Sequence, residues 1–186
     1  MKMMDMRQLT PSQVLQEREK RLARRGSWLR LAISVACTAA CTLILFGLVL
    51  GIAVVRGSSM NPAFREDDLV LFSRLGRYSA GDVVILLPDS AGLRKYVKRV
   101  VGVPGDTVDI SYNGGVRING LPLEEPYAAG FTQRKELAFP IQLGPGEYFV
   151  LGDNRENSSD SRNFGAVTAD HVSGKVLAVL RAGIRE

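Results

Sequence analysis

The 186-residue chain is 46% hydrophobic and 23% charged, a balance that builds a core and excludes disorder for most of its length. Its formal charge of +5 resides on the first 30 residues, which hold eight Lys and Arg against three Asp and Glu, while residues 31–186 carry 16 of each. A nucleic-acid binder is expected to bear its positive field on the folded part, so the neutral remainder argues against nucleic acid as a partner.

From the N-terminus, residues 1–30 read as a basic cytoplasmic arm, with a charged helix between Ser12 and Arg25 whose cations can touch anionic lipid. Leu31 to Val55 follows with 25 uncharged residues. As a helix this run reaches about 37 Å, beyond the ~30 Å hydrocarbon core, and is much longer than the apolar part of a cleaved signal. It is expected to be a transmembrane signal anchor in the lipid bilayer, with Trp28 at the headgroups. Eight Lys and Arg precede it, against Arg56, Arg65 and Arg74 in the 20 residues after it. That asymmetry predicts a single-pass cell-membrane protein with a cytoplasmic N-terminus and residues 56–186 on the outer side, periplasmic or extracellular. Both cysteines, Cys37 and Cys41, fall in this run, where small buried packing is expected of them, so no disulfide frame or thiolate metal site exists elsewhere. His171 is the sole histidine, which excludes a two-imidazole mechanism within one chain.

Beyond the span, short runs of Val, Ile, Leu and Tyr separated by Gly, Pro, Asn and Asp predict strands at Leu69–Phe72, Asp82–Leu87, Lys95–Val103, Thr107–Tyr112, Val116–Ile118, Tyr148–Leu151 and Lys175–Leu180. Asn113-Gly114-Gly115 supplies a hairpin turn. The chain is therefore predicted to be mainly β: one N-terminal transmembrane helix, then an extracytoplasmic all-β domain of coiled antiparallel sheets over 56–186. Residues 121–140, with three prolines, form a loop or extension within it.

Three clusters stand apart from sheet filler. Gly57-Ser58-Ser59-Met60-Asn61-Pro62 places a hydroxyl close to the membrane surface, or is a polar turn leaving the helix. It is not a nucleophile elbow, because Asn61 stands where that pattern needs Gly. In Tyr96-Val97-Lys98-Arg99-Val100-Val101-Gly102-Val103-Pro104-Gly105-Asp106, alternation puts Lys98 on a face with Tyr96 and Val100. Desolvation there would lower its pKa toward that of a base, whereas Lys98 and Arg99 on a solvated edge would only discourage aggregation. Gly152-Asp153-Asn154-Arg155 continuing to Ser158-Ser159-Asp160-Ser161-Arg162 is dense in short polar side chains that can tie a loop together. Metal binding by Asp153 and Asp160 is opposed by the interleaved Arg155 and Arg162.

In this order, after an N-terminal span, the clusters resemble the boxes of bacterial type I signal peptidases, also called leader peptidases. Ser59-Met60-x-Pro62 resembles the nucleophile box, the run from Tyr96 the lysine box, and the run from Gly152 to Arg162 the late polar box; Gly81-Asp82-Val83-Val84 and Ile118-Asn119-Gly120 are also similar to family segments. The resemblance implies a membrane serine endopeptidase that removes signal peptides from exported pre-proteins at the export channel. Ser59 would be its nucleophile, Lys98 its general base, and Ser158 a hydroxyl orienting the lysine amine. It implies no cofactor and no metal. Gly57 falls in the oxyanion region, where some members carry a serine, and Ala63 departs from the usual threonine. Asp153 with Arg155, and Asp160 with Arg162, are carried over as scaffold. Cleavage after small residues is implied, and Met60, Ile85, Tyr96 and Val97 are expected to shape the substrate pockets, with the substrate extended along Asp82–Leu87 or Lys95–Val97. Two rivals remain: a catalytically silent membrane-anchored export scaffold, and a Ser/Lys self-cleaving repressor, which would need a DNA-binding module where the span stands.

Overall fold

The computed structural model describes residues 11–87 and 96–181, and the chain divides into two compact units, residues 1–47 and 48–186. Residues 1–10 of the expected arm, and Lys95 of the expected strand Lys95–Val103, lie outside the described residues.

The first unit is helical. Helix α1 runs Pro11–Val49, joining the expected arm helix and most of the expected span into one element. Gly26–Val49 is long and apolar enough to cross a membrane, and none of that window is buried. Leu29, Ile33, Val35, Leu43 and Phe46 are all exposed, and a helix apolar on every side suits hydrocarbon. Its two threonine hydroxyls are satisfied locally, Thr38 Oγ1 donating to the Ser34 carbonyl and Thr42 Oγ1 to that of Thr38, both at 2.9 Å. Cys37 and Cys41 are free and exposed rather than buried, because among the described residues of this unit no second element covers the helix.

The expected helix end at Val55 is corrected. After Val49 the backbone becomes strand β1, Leu50–Val54, paired antiparallel with β2, Leu69–Ser73. Two features of the sequence explain the switch. Gly51 lies against the Phe72 ring so closely that an added Cβ would be 2.3 Å from Cζ, and Ile52, Val54 and Val55 are β-branched. Val55 then enters the core.

The second unit is antiparallel throughout its ladders. After β1 and β2 come β3, Val83–Leu86; β4, Tyr96–Gly102; β5, Thr107–Ile110; β6, Val116–Ile118; β7, Leu121–Pro122; β8, Ile141–Gln142; β9, Glu147–Leu151; the one-turn helix α2, Ser161–Phe164; β10, Val167–Thr168; and β11, Val172–Leu180. One sheet has the order β1-β2-β11-β3-β4-β9-β10 and the other β7-β6-β5-β8. Each expected strand is present within a few residues of its expected ends, and Gly114 supplies the positive φ of the β5–β6 hairpin. Strands β7, β8 and β10, two residues each, are too short for periodicity to reveal. Three apolar clusters fill the unit. Val55, Met60, Phe64, Val70, Ile85 and Val97 form the first, β5, β6 and β9 the second, and Val84, Leu86, Val100 and Val150 part of the third.

Candidate active site

The site forms where the turn after β1, the first half of β4 and the segment after β9 meet. On β4 the residues YVKRVVG alternate, so Val97 packs in the core with its register partner Ile85, while Lys98 stands opposite Val84 on the other face. Lys98 is 2% exposed. Burial lowers its pKa to about 8, against the opposing pull of the Asp160 and Asp153 carboxylates. Its Nζ donates to Ser59 Oγ at 2.7 Å.

Ser59 is held by the backbone on both sides of it. Gly57, at φ +79°, turns the chain out of β1, and Asn61 N donates to the Ser58 carbonyl at 3.0 Å. Met60 and Phe64 anchor the turn in the core. The segment after β9 grips the same turn: Asn154 N donates to the Ser59 carbonyl at 3.0 Å, Asn154 Nδ2 to the Ser58 carbonyl at 3.2 Å, and Asn157 Nδ2 to Ser58 Oγ at 2.8 Å. Gly152 permits this approach. A Cβ there would lie 2.2 Å from Ser158 Oγ and 2.6 Å from the Ser59 carbonyl oxygen.

Ser158 is buried beside Gly152. The expected hydrogen bond to the Lys98 amine is not formed: Ser158 Oγ has no partner of good geometry among the described residues, although its hydroxyl favours the charged form of Asp160. The acidic scaffold is half as expected. Asp160 and Arg162 are fully buried and joined by two 2.8 Å bonds. Burial raises the pKa of Asp160, but Arg162 and the Gly152 N–H outweigh it, and the carboxyl stays below its ordinary value. Asp153, however, is not paired with Arg155. It accepts two bonds from Arg99, at 2.8 and 2.6 Å, while Arg99 Nη1 donates to the Gly81 carbonyl at 2.9 Å, and the Arg99 guanidinium lies 4.0 Å from the Tyr127 ring centroid. Arg155 instead reaches Glu125 and Thr132 Oγ1. These partners come from residues far away in sequence, which local reading does not reveal.

Arg56, Gly57, Ser59, Tyr96, Lys98 and Asn157 line a cleft of about 280 Å³. Tyr96 and Ser159 also border a neighbouring groove of about 360 Å³ with Leu86, Phe164 and Val167. Of the four residues expected to shape substrate pockets, Tyr96 lines both; Met60, Ile85 and Val97 are buried in the core behind them. Arg56, Asn154 and Asn157 were not anticipated as site residues. His171 does not line the cleft that holds Ser59 and Lys98 but borders the neighbouring groove, its Nδ1 2.8 Å from Thr168 Oγ1. A buried amine in contact with a hydroxyl at an open cleft can take the hydroxyl proton and so generate an alkoxide-like nucleophile.

A family model described as signal peptidase, peptidase S26, matches residues 26–181. The chain is similar to signal peptidase I S of Bacillus subtilis (strain 168), 32% identical over 171 residues that cover 84% of this chain and 91% of that protein. It is also similar to signal peptidase I of Bacillus caldolyticus, 34% identical over 177 residues, covering 86% and 91%. The crystal structure of a signal peptidase I from Enterococcus faecalis, 32% identical, aligns with 56% of this chain and 99% of its own at a TM-score of 0.47.

Proposed function

The chain belongs to the signal peptidase family, and on that premise we propose that it is a membrane-bound serine endopeptidase in which Ser59 attacks and Lys98 is the general base. Its substrates are the signal peptides of exported pre-proteins, cut after small residues. The observation that carries this reading is the 2.7 Å contact between Ser59 Oγ and an amine that burial brings to a pKa of about 8.

Neutral Lys98 takes the Ser59 proton as Oγ attacks the scissile carbonyl. The Ser59 N–H is the first donor to the developing oxyanion, and the Asn154 bond to the Ser59 carbonyl holds that peptide plane still. The resulting ammonium then protonates the leaving amine. Water, deprotonated by the same amine, releases the acyl group. Asp160 and Asp153 ease the moment at which Lys98 is charged, since both favour the ammonium. No cofactor enters the scheme. In this reading the apolar helix anchors the enzyme in the cell membrane, and the charge asymmetry favours residues 56–186 on the outer side, where pre-proteins leave the export channel.

Purified protein given a pre-protein should yield the mature chain. Ser59→Ala and Lys98→Ala should each lower kcat by at least about 10³-fold, while His171→Ala stays within about twofold of the parent. A dead His171→Ala with an active Lys98→Ala would overturn the choice of base.

A further inference from the structure

The extension between β7 and β8 is bound to the catalytic segment along its length. Ala129 N donates to the Asp153 carbonyl at 2.7 Å and the Ala129 carbonyl accepts from Arg155 N at 2.8 Å. Glu125 and Thr132 take the Arg155 guanidinium, and the Gln133 carbonyl accepts from Arg162 Nη1 at 3.4 Å. Lys135 is the member that approaches Ser158. Its Nζ donates to the Ser158 carbonyl and, at 3.1 Å, to Asn163 Oδ1, the same oxygen that accepts from Asp160 N at 3.4 Å. Lys135 adopts φ +55°, a conformation uncommon for a residue with a long side chain.

We propose that Lys135 is a positioning residue for the base: by holding the Ser158 carbonyl and the Asp160–Asn163 cap from outside, it fixes the wall of the Lys98 pocket and sets a positive charge behind it. The inference rests on Lys98 being the base. The groups around Lys98 come from several elements: Asp153, Asp160 and Arg162 from the segment after β9, Tyr96 on β4 with its ring centroid 5.8 Å away, Lys135 from the extension, and Arg56 across the cleft, paired with Asp67. The two carboxylates favour the charged amine, and Arg162 and Lys135 disfavour it. Of Arg162 and Lys135, it is Lys135 that a mutation can neutralise without breaking a buried carboxylate pair, since its oxygen partners are a carbonyl and an amide.

The test is the pH dependence of kcat/KM on the full-length protein in detergent, with a peptide carrying alanine at the first and third positions before the cut. In the parent, kcat/KM should rise with pH and level off above about 8. Lys135→Gln should lower kcat/KM about tenfold at pH 7, chiefly in kcat, and move the rising limb to higher pH, because a cation that disfavours the ammonium is gone. Lys135→Arg, which keeps charge and donor, should restore most of both. A limb that stays in place for Lys135→Gln overturns the proposal, whether activity is unchanged or falls together with thermal stability as for a plain brace. If instead Lys98→Ala cuts as well as the parent, the base assignment itself has failed, a result distinct from either.

Discussion

At the residue scale the proposed chemistry depends on one amine. Lys98 is buried, and its pKa falls from 10.5 to about 8. For a base whose folded value is depressed, the unfolded chain binds the proton more tightly between those two values, so stability rises with pH across that window and is flat below it. The parent should therefore gain stability relative to Lys98→Met from pH 8 to 10.5, by up to about 3 kcal/mol, in denaturant titrations at each pH. Equal pH dependence of the two proteins would show that the amine is already solvated. Gly152 gives a second test. A methyl group there meets Ser158 Oγ and the Ser59 carbonyl well inside van der Waals distance, so Gly152→Ala should lose about 10²-fold in kcat with a far smaller change in KM, because the proposed nucleophile and base are displaced rather than removed. The sequence brought Ser59 and Lys98 forward through chemistry and resemblance. It gave no means of seeing that Gly152 is the contact point, since a glycine beside a polar run reads as a turn.

At the scale of elements, the strands were legible where a run rich in Val, Ile, Leu and Tyr is bounded by turn residues, as in β3, β4 and β9. The end of α1 was not, because Leu50–Val54 is as apolar as the helix before it; the switch is decided by pairing with β2 and by the Gly51–Phe72 contact. The ion pairs of the catalytic segment were half legible: the resemblance pairs Asp160 with Arg162 and Asp153 with Arg155, each two residues apart, but only the first forms, because Arg99 and Asp153, and Glu125 and Arg155, meet once β4, β9 and the extension are assembled. Arg155 is buried with its partner nearly so. Glu125→Gln leaves that guanidinium without its counter-charge, and should destabilise by about 3–5 kcal/mol. Thermal unfolding of the variant checks this, and an unchanged midpoint would mean that the extension contributes little to the fold.

For the whole molecule, the division at residues 47 and 48 separates an apolar helix from a β unit that contains every residue of the proposed chemistry. Composition and charge order predict a helix followed by a charge-balanced β domain, but they set the boundary at Val55, whereas the helix ends at Val49. A tag on the β unit should be digested by protease added outside intact cells, while one on the N-terminus is protected. The reverse pattern would invert the topology and place the catalytic cleft on the side where signal peptides are not yet exposed.

The most direct measurement is the titration of the Lys98 amine itself, followed by NMR of a Lys98 Nζ label in the Ser59→Ala protein and compared with the pH profile of parent cleavage. If Lys98 is the base, the amine titrates near 8 and the rate rises through the same pH range. An amine that titrates near 10.5 while cleavage is already maximal at pH 7 would contradict it.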